Sequence, residues 1–430
     1  MSKPLIRPLF SACLLSCLFA PVHALPTKVS FTPAEHTEIG NQVKLRYSPT
    51  DQGEVGQPLP LKNGLQLTYG EILSFGDFYG LVDEPISLGH TEEIRRKRFI
   101  DAFNTLAENL HATTEAPQIL RLIRQERKII DTAISSGTSI DKAYKDLGNT
   151  IDIQFNCITG GGCSELTWLV NFGRYMKLAA SNYDHFGEEA ILAYQTGHQI
   201  AMEVAMAAHH NKDVNQLKLA YAMNAFACHF LTDRFAAGHI RTPRLKLSEN
   251  TTLKIIGSAL TSYMHTEENH YGLHVSNAHG DHWVAFGDKT YFKPETEKHR
   301  KMINQAVQAS ADHIFYAYLS GYNEIHDSAY VFIPRPDEEN NHSKLDLSPM
   351  FYWDEASNTL YRRTSLPLRY SREWTNDWWG WTTFLELRNA RGFEMFEQAI
   401  LAHSSLGKAA LKDGFITEPS LVAYVKQQAR

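Results

Sequence analysis

The chain has 430 residues, 42 Lys and Arg against 48 Asp and Glu, a formal net charge of −6 and 43% hydrophobic residues. That balance gives no electrostatic case for nucleic acid, and the length suffices for one large or two medium domains. Beyond the first two dozen residues no unbroken apolar run is long enough to span a bilayer, so the body of the chain is expected to be soluble.

Residues 1–24 have the three parts of a secretory signal: Lys3 and Arg7, an apolar stretch from Leu9 to Ala20, and Val22-His23-Ala24 as a small-residue cleavage site. A lipoprotein signal ending at Cys17 is the alternative, although the apolar stretch before it is short. Cleavage after Ala24 removes Lys3 and Arg7 and leaves the mature chain more acidic still. Secreted or periplasmic export puts Cys157 and Cys163, which bracket Ile-Thr-Gly-Gly-Gly, where they can close a disulfide. Cys228 is left over and reads as a small buried hydrophobe.

Residues 25–90 mix turn signals with short apolar stretches, among which His36, ahead of a predicted helix, and Asp77, in a Gly-Asp turn, stand out. From Thr91 to Ser135 charged and apolar residues alternate at helical spacing, predicting scaffold helices. Their basic run Arg95-Arg96-Lys97-Arg98 is balanced by Glu92, Glu93 and Asp101 and reads as a solvated face. Ser164–Ala180 reads as another helix, leading into SNYDHFGEEAILAYQTGHQ. There Asp184 and His185 precede Gly187, and Asp184 would project from a loop as a ligand. His198 lies inside the following long helix on a face otherwise made of Ala and Met, where a polar group needs a bound metal or a hydrogen-bonded partner.

The stretch from His229 to His239, HFLTDRFAAGH, carries the densest chemistry. Apolar residues at Leu217, Ala220, Tyr221, Ala225, Cys228 and Leu231 predict a helix over Val214–Phe235. Four residues turn a helix by about 400°, so His229 and Asp233 fall within about 40° of each other and can share one ion. His239 would lie about 80° off that face on a continuous helix, but Gly238 can end the helix and turn it inward toward a neighbouring ion. A further helix from Leu253 to His265 runs into HTEENHYGLHVSNAHGDHW. If it persists, Glu268 shares the side of His265 whereas Glu267 is turned away.

Residues 296–325 read as one more helix, after which Pro, Asn and Asp-rich turns and short aromatic stretches suggest a loose boundary near 326. The expected layout is a signal over 1–24, a helical catalytic domain over 25–325, and a smaller C-terminal region of mixed structure over 326–430. In that region WTNDWWGWTTF suits either a membrane–water interface or a packed core.

Laid end to end, Asp184, His198, His229, Asp233, His239 and His265 with a nearby Glu resemble, in order and spacing, the zinc-dependent phospholipase C family, whose superfamily includes the P1-type single-strand nucleases. NYDHFG, AYQTGH, HFLTDRFAAGHIRTPR and MHTEENHYGL look most like the bacterial zinc metallophospholipases C, over about residues 180–290 and more loosely at TYGEILSFGDFYG. The resemblance implies a mainly α, multi-helix fold around two or three zinc ions. Asp184, His198, His229 and Asp233 would hold one ion, with Asp233 bridging to a second. His239, His265 and an acid would hold another. The mature amino terminus at Leu25 with His36 would hold the third. Two departures stand out: Leu25 replaces the family's Trp, and Asn269 stands where a glutamate is expected, so that Glu268 or Glu267 must substitute.

Clustered zinc would supply a nucleophilic water and charge neutralisation for phosphodiester hydrolysis, and Asp184 could orient that water or take its proton. The implied substrate is a phosphatidylcholine-like phospholipid met at a membrane surface, cleaved to diacylglycerol and a phosphorylated head group. No nucleic-acid or stable protein partner is expected. The alternatives are a P1-type nuclease and a catalytically degenerate secreted lipid- or metal-binding protein. No GxSxG, HExxH or phosphate-binding glycine loop anchors another hydrolase class.

Overall fold

The computed structural model describes residues 32–389 apart from 165, 166, 169, 170, 323–328 and 338–346. Residues 1–24, read above as a signal, and Leu25 lie outside the described residues. The described chain is mainly helical, with small antiparallel sheets.

Helices α1 (Pro33–Asn41) and α2 (Tyr69–Ser74) both begin on capping boxes, Thr32 with Glu35 and Thr68 with Glu71, so each N-terminus is satisfied locally. They cross where two glycines meet: a Cβ on Gly40 would stand 2.4 Å from the Gly70 Cα. The crossing buries His36, which lies within α1 rather than ahead of it. A 3-10 turn (Phe75–Asp77) runs on from α2 and presents Asp77. Strands β1 (Leu59–Pro60) and β2 (Gln66–Leu67) pair between the two helices.

The scaffold helices are α3 (Glu92–Ala107), α4 (Ala112–Ser136), α5 (Ile140–Leu147) and α6 (Thr150–Ile158). Cys157 and Cys163 are joined by a disulfide. The helix expected from Ser164 starts only at Arg174, as α7 (Arg174–Ala180). Asn156 explains the delay. Its amide donates to the carbonyls of Gly162 (3.0 Å) and Asn171 (3.1 Å) and accepts from the Gly173 N–H (2.7 Å), which ties Gly162, Asn171 and Gly173 together ahead of α7.

A 3-10 turn (Tyr183–His185) precedes α8 (Gly187–Asn211), which forms a hairpin with α9 (Val214–Asp233) through left-handed Lys212. From Leu217 to Asp233 almost every residue of α9 is buried, so its polar side chains must find partners inside the fold. After α9 come α10 (Ala237–Ile240), α11 (Arg244–Glu249) and α12 (Lys254–Tyr271), which does persist beyond His265. Strands β3 (Leu273–Ser276) and β4 (His282–Ala285) pair in register Val275 to Trp283; α13 (Glu297–Ser320) follows, and β5 (Arg335–Pro336) joins β3 on its other side.

The last elements are β6 (Phe351–Asp354), β7 (Thr359–Arg363), β8 (Trp374–Thr375) and α14 (Gly380–Asn389), with β7 central in the sheet. Met350, Phe351, Leu360, Leu366 and Leu387 share one core with Leu247 of α11 and Leu260, Tyr263 and Met264 of α12. The tryptophan-rich stretch mostly serves this packing. Trp378 and Trp381 lie against that core, Trp374 and Trp378 donate to the carbonyls of Pro349 and Leu360, and Trp379 is 58% exposed. No helix among the described residues is long and apolar enough to cross a membrane.

Candidate metal centre

Where α9 ends, Asp233 is fully buried and faces four imidazoles. Its Oδ1 lies 3.3 Å from His36 Nε2 and 4.0 Å from His239 Nδ1, and its Oδ2 lies 3.3 Å from His229 Nε2 and 2.6 Å from His185 Nδ1. Asp77 Oδ1 is 3.8 Å from His229 Nε2, and the His229 and His185 nitrogens are 3.2 Å apart. His36, Asp77 and His229 form one group whose ligand atoms all lie within 4.8 Å of one another, and His185, His229 and Asp233 form a second. Neighbouring ligands on one tetrahedral zinc, with bonds of about 2.0–2.1 Å, stand about 3.3 Å apart. Three of these six separations match that spacing, those of His239 to Asp233 and of Asp77 to His229 are longer, and the His185–Asp233 contact is shorter.

The tautomers can be read from the outer partners. His229 Nδ1 meets the Leu73 carbonyl at 3.1 Å, and His239 Nδ1 meets the His185 carbonyl at 2.7 Å. A carbonyl only accepts, so each ring carries its proton on Nδ1 and turns an Nε2 lone pair inward. His36 follows the same rule: Thr232 Oγ1 donates to the backbone carbonyls of Cys228 and His229 and accepts from His36 Nδ1 at 3.0 Å. The His229 lone pair therefore points at the carboxylates and at His185 Nδ1, 3.2 Å away, a position that a proton on His229 or His185, or a metal ion, can fill. Burial pushes the His229 imidazole well below its ordinary pKa, against the pull of Asp233. Burial would raise Asp233, but His229 and His185 outweigh it and hold the carboxyl well below the usual range. The buried His and Asp groups fit a metal ion, with an all nitrogen and oxygen donor set.

Beside this group, His239 Nε2 lies 3.1 Å from His265 Nε2, and Phe186 stacks on the His239 ring at 4.2 Å. The turn onto His239 differs from expectation. α9 stops at Asp233, and His239 sits on its own short helix α10. Gly238 does not end α9; it lets α12 approach, since a Cβ there would stand 2.5 Å from the His265 carbonyl oxygen.

Of the residues singled out by sequence, His229, Asp233, His239, His265 and His36 are brought together, while Asp184, His198, Glu267 and Glu268 have other partners. Asp184 is not a ligand in this arrangement. Its oxygens accept from Ile86 N (2.6 Å), Ser87 N (2.8 Å) and Ser87 Oγ (2.5 Å), so it clamps the neighbouring loop to the turn that carries His185. His198 is engaged by Asn224 (2.8 Å) and His313 (3.0 Å) in a separate buried network between α8, α9 and α13. Glu268 Oε1 is paired with Arg241 at 2.9 Å while its Oε2 is buried without a hydrogen-bond partner, and both oxygens of Glu267 are paired with Arg363. The residues that enter instead are His185, one position after Asp184, and Asp77, singled out on the wording of its segment alone. In a 3-10 turn adjacent residues point about 120° apart, and no periodic pattern tells which of Asp184 and His185 faces inward.

Asp77 and His185 are the members with measurable exposure, each side chain at 10%. A cavity of about 40 Å³ reaches His185 and Gly76, walled by Tyr79, Leu81, Ile86 and Phe230, with Glu84 among its lining residues. Gly76 is required there, because a Cβ would stand 2.2 Å from the His229 ring. No family model matches this chain, and no curated protein or solved structure matches it either.

Proposed function

We propose that this chain is an exported zinc-dependent phosphodiester hydrolase of the phospholipase C type, acting on phosphatidylcholine-like lipids at a membrane surface. The observation that carries the reading is the buried convergence of His36, His185, His229, Asp77 and Asp233, with Nε2 lone pairs directed at carboxylates. The resemblance of HFLTDRFAAGHIRTPR and its neighbours to the bacterial zinc metallophospholipases C supplies the fold family and the substrate class. Bound zinc would supply a Lewis acid for the phosphoryl oxygens and bring a water to ionise near neutral pH.

The protein's own residues do the rest. Leu73, Thr232 and the His185 carbonyl lock three imidazoles in the ligating tautomer before any ion arrives. His185 meets the cavity, whose apolar wall of Tyr79, Leu81, Ile86 and Phe230 suits the lipid side of a scissile bond. Asp184 acts as a positioning residue for His185 and not as a proton acceptor.

The test is a substrate panel on the purified, zinc-loaded chain: phosphatidylcholine vesicles, other phospholipids and single-stranded nucleic acid, before and after chelation. Release of diacylglycerol and phosphocholine that is lost on chelation, restored by zinc and absent in Asp233→Asn is expected. Cleavage of nucleic acid without lipid turnover would replace this reading with a nuclease, and full lipid turnover after verified metal removal would end it.

A further inference from the structure

We propose that the cavity between the Thr242-Pro243-Arg244 turn and the aromatic residues of β6 and β8 is a binding site for a phosphate ester, one that needs no metal ion. Pro243 sets the turn: with φ −81° and ψ 66° it lets the Arg244 N–H donate to the Thr242 carbonyl at 2.8 Å. Thr242 and Arg244 are each 2% exposed. Arg244 Nε donates to Asn182 Oδ1 at 3.2 Å, and its Nη2 donates to the Ala180 carbonyl at 2.6 Å and to Ser258 Oγ at 3.0 Å. The guanidinium carbon lies 5.0 Å over the Tyr183 ring. All of these partners are neutral. Arg244 Nη1 and Thr242 Oγ1 are buried with no hydrogen-bond partner among the described residues. A buried cation ordinarily meets a carboxylate. Among the described residues none acts on Arg244: burial pushes its pKa down to about 10, and Tyr183 pulls the other way. One tetrahedral oxyanion can answer the charge and both donors at once.

The cavity holds about 750 Å³, between the start of α8 and the stretch 240–246 on the helical side and Tyr352, Trp353 and Trp374 on the sheet side. None of the residues gathered around Asp233 lines it. The acids on its wall do not answer Arg244. Glu188 acts on the buried charge of Arg234, Glu189 is acted on by Lys246, and Glu355 is exposed in the turn after β6. Two of the cations are already engaged, Arg241 by Glu268 at 2.9 Å and Lys246 by Glu249 at 3.0 Å. Arg244 is thus the buried cation of this wall that an oxyanion would complete. The three aromatic side chains opposite give the organic part of an ester rings to pack on, which a bare inorganic ion would leave unused.

The test is titration of the full chain with phenyl phosphate, read by calorimetry and by tryptophan quenching, in the wild type and in Thr242→Val, Arg244→Gln and Asp233→Asn. Thr242→Val keeps the shape and removes a hydroxyl that has no partner, so the ligand-free melting temperature should not fall while binding weakens about tenfold. Arg244→Gln should weaken binding further, and Asp233→Asn should bind as the wild type does. Inorganic phosphate should compete more weakly than phenyl phosphate. Vesicles carrying phosphatidic acid separate the sources: binding that falls in Thr242→Val assigns a lipid head group, and binding that is absent or equal in the two assigns a soluble ester. Equal phenyl phosphate affinity in the wild type and Thr242→Val overturns the proposal, as does no binding by the wild type at millimolar ligand. Loss of binding in Asp233→Asn would place the ligand on the metal centre and also overturn it, and equal affinity for inorganic phosphate would overturn the ester.

Discussion

Arg363→Met removes one partner of a fully enclosed ion pair, and the structure sets the size of the effect. The Arg363 guanidinium gives two parallel bonds to Glu267, one to the Ser348 carbonyl at 2.9 Å and one to the Leu366 carbonyl at 2.5 Å, and both charged side chains are 0% exposed. Methionine fills much of the volume but leaves a buried carboxylate and two carbonyls without those donors. Breaking such a pair from one side costs about 3–5 kcal/mol, a large fraction of the 5–15 kcal/mol typical of a folded protein. Removing both partners, as Arg363→Met with Glu267→Met, leaves no stranded charge and should return most of that loss. Five of the seven tryptophans lie between positions 353 and 381, so fluorescence-detected urea unfolding reports on this part of the fold. The reasoning fails if either single variant costs under about 1 kcal/mol, or if the double variant is as unstable as the two losses added.

Burial is the main cause that holds His198 at about 4 against 6.5 for an ordinary imidazole, with His313 adding to it and Asn224 opposing it. The unfolded chain then binds the proton first. The stability due to the neutral ring is therefore present above pH 6.5 and falls by about 3 kcal/mol as the pH drops toward 4. Urea midpoints across that range should slope downward with acid in the wild type and less steeply in His198→Gln; equal slopes would refute the assignment. Gly76→Ala places a methyl against the His229 ring, and the overpacking, about 1–3 kcal/mol, must displace one of them. Zinc uptake should fall more than overall stability does, and unchanged zinc content would show that the turn yields without moving the ligand.

Periodicity made the centre of the site legible in the sequence, and its limits explain the rest. His229 and Asp233 are four apart on one helix, and that spacing alone puts both side chains on one face. The continuation of α12 past His265 was equally open to this argument, and so was Glu268 on the same side of it. What helical geometry leaves out is competition from across the fold: Arg241 claims Glu268, and Arg363 claims Glu267. His198 shows the converse. A lone imidazole on an Ala and Met face does need a partner, and it has Asn224 and His313, the latter from a helix more than a hundred positions away. Asp77 and His185 sit on single 3-10 turns, too short to show a period, so nothing local separates them from Asp184 or any other turn acid. The ligands that come from long helices are those a sequence can rank, and the ligands from turns and loops, which give the site its exposed edge, are those that only the assembled fold selects.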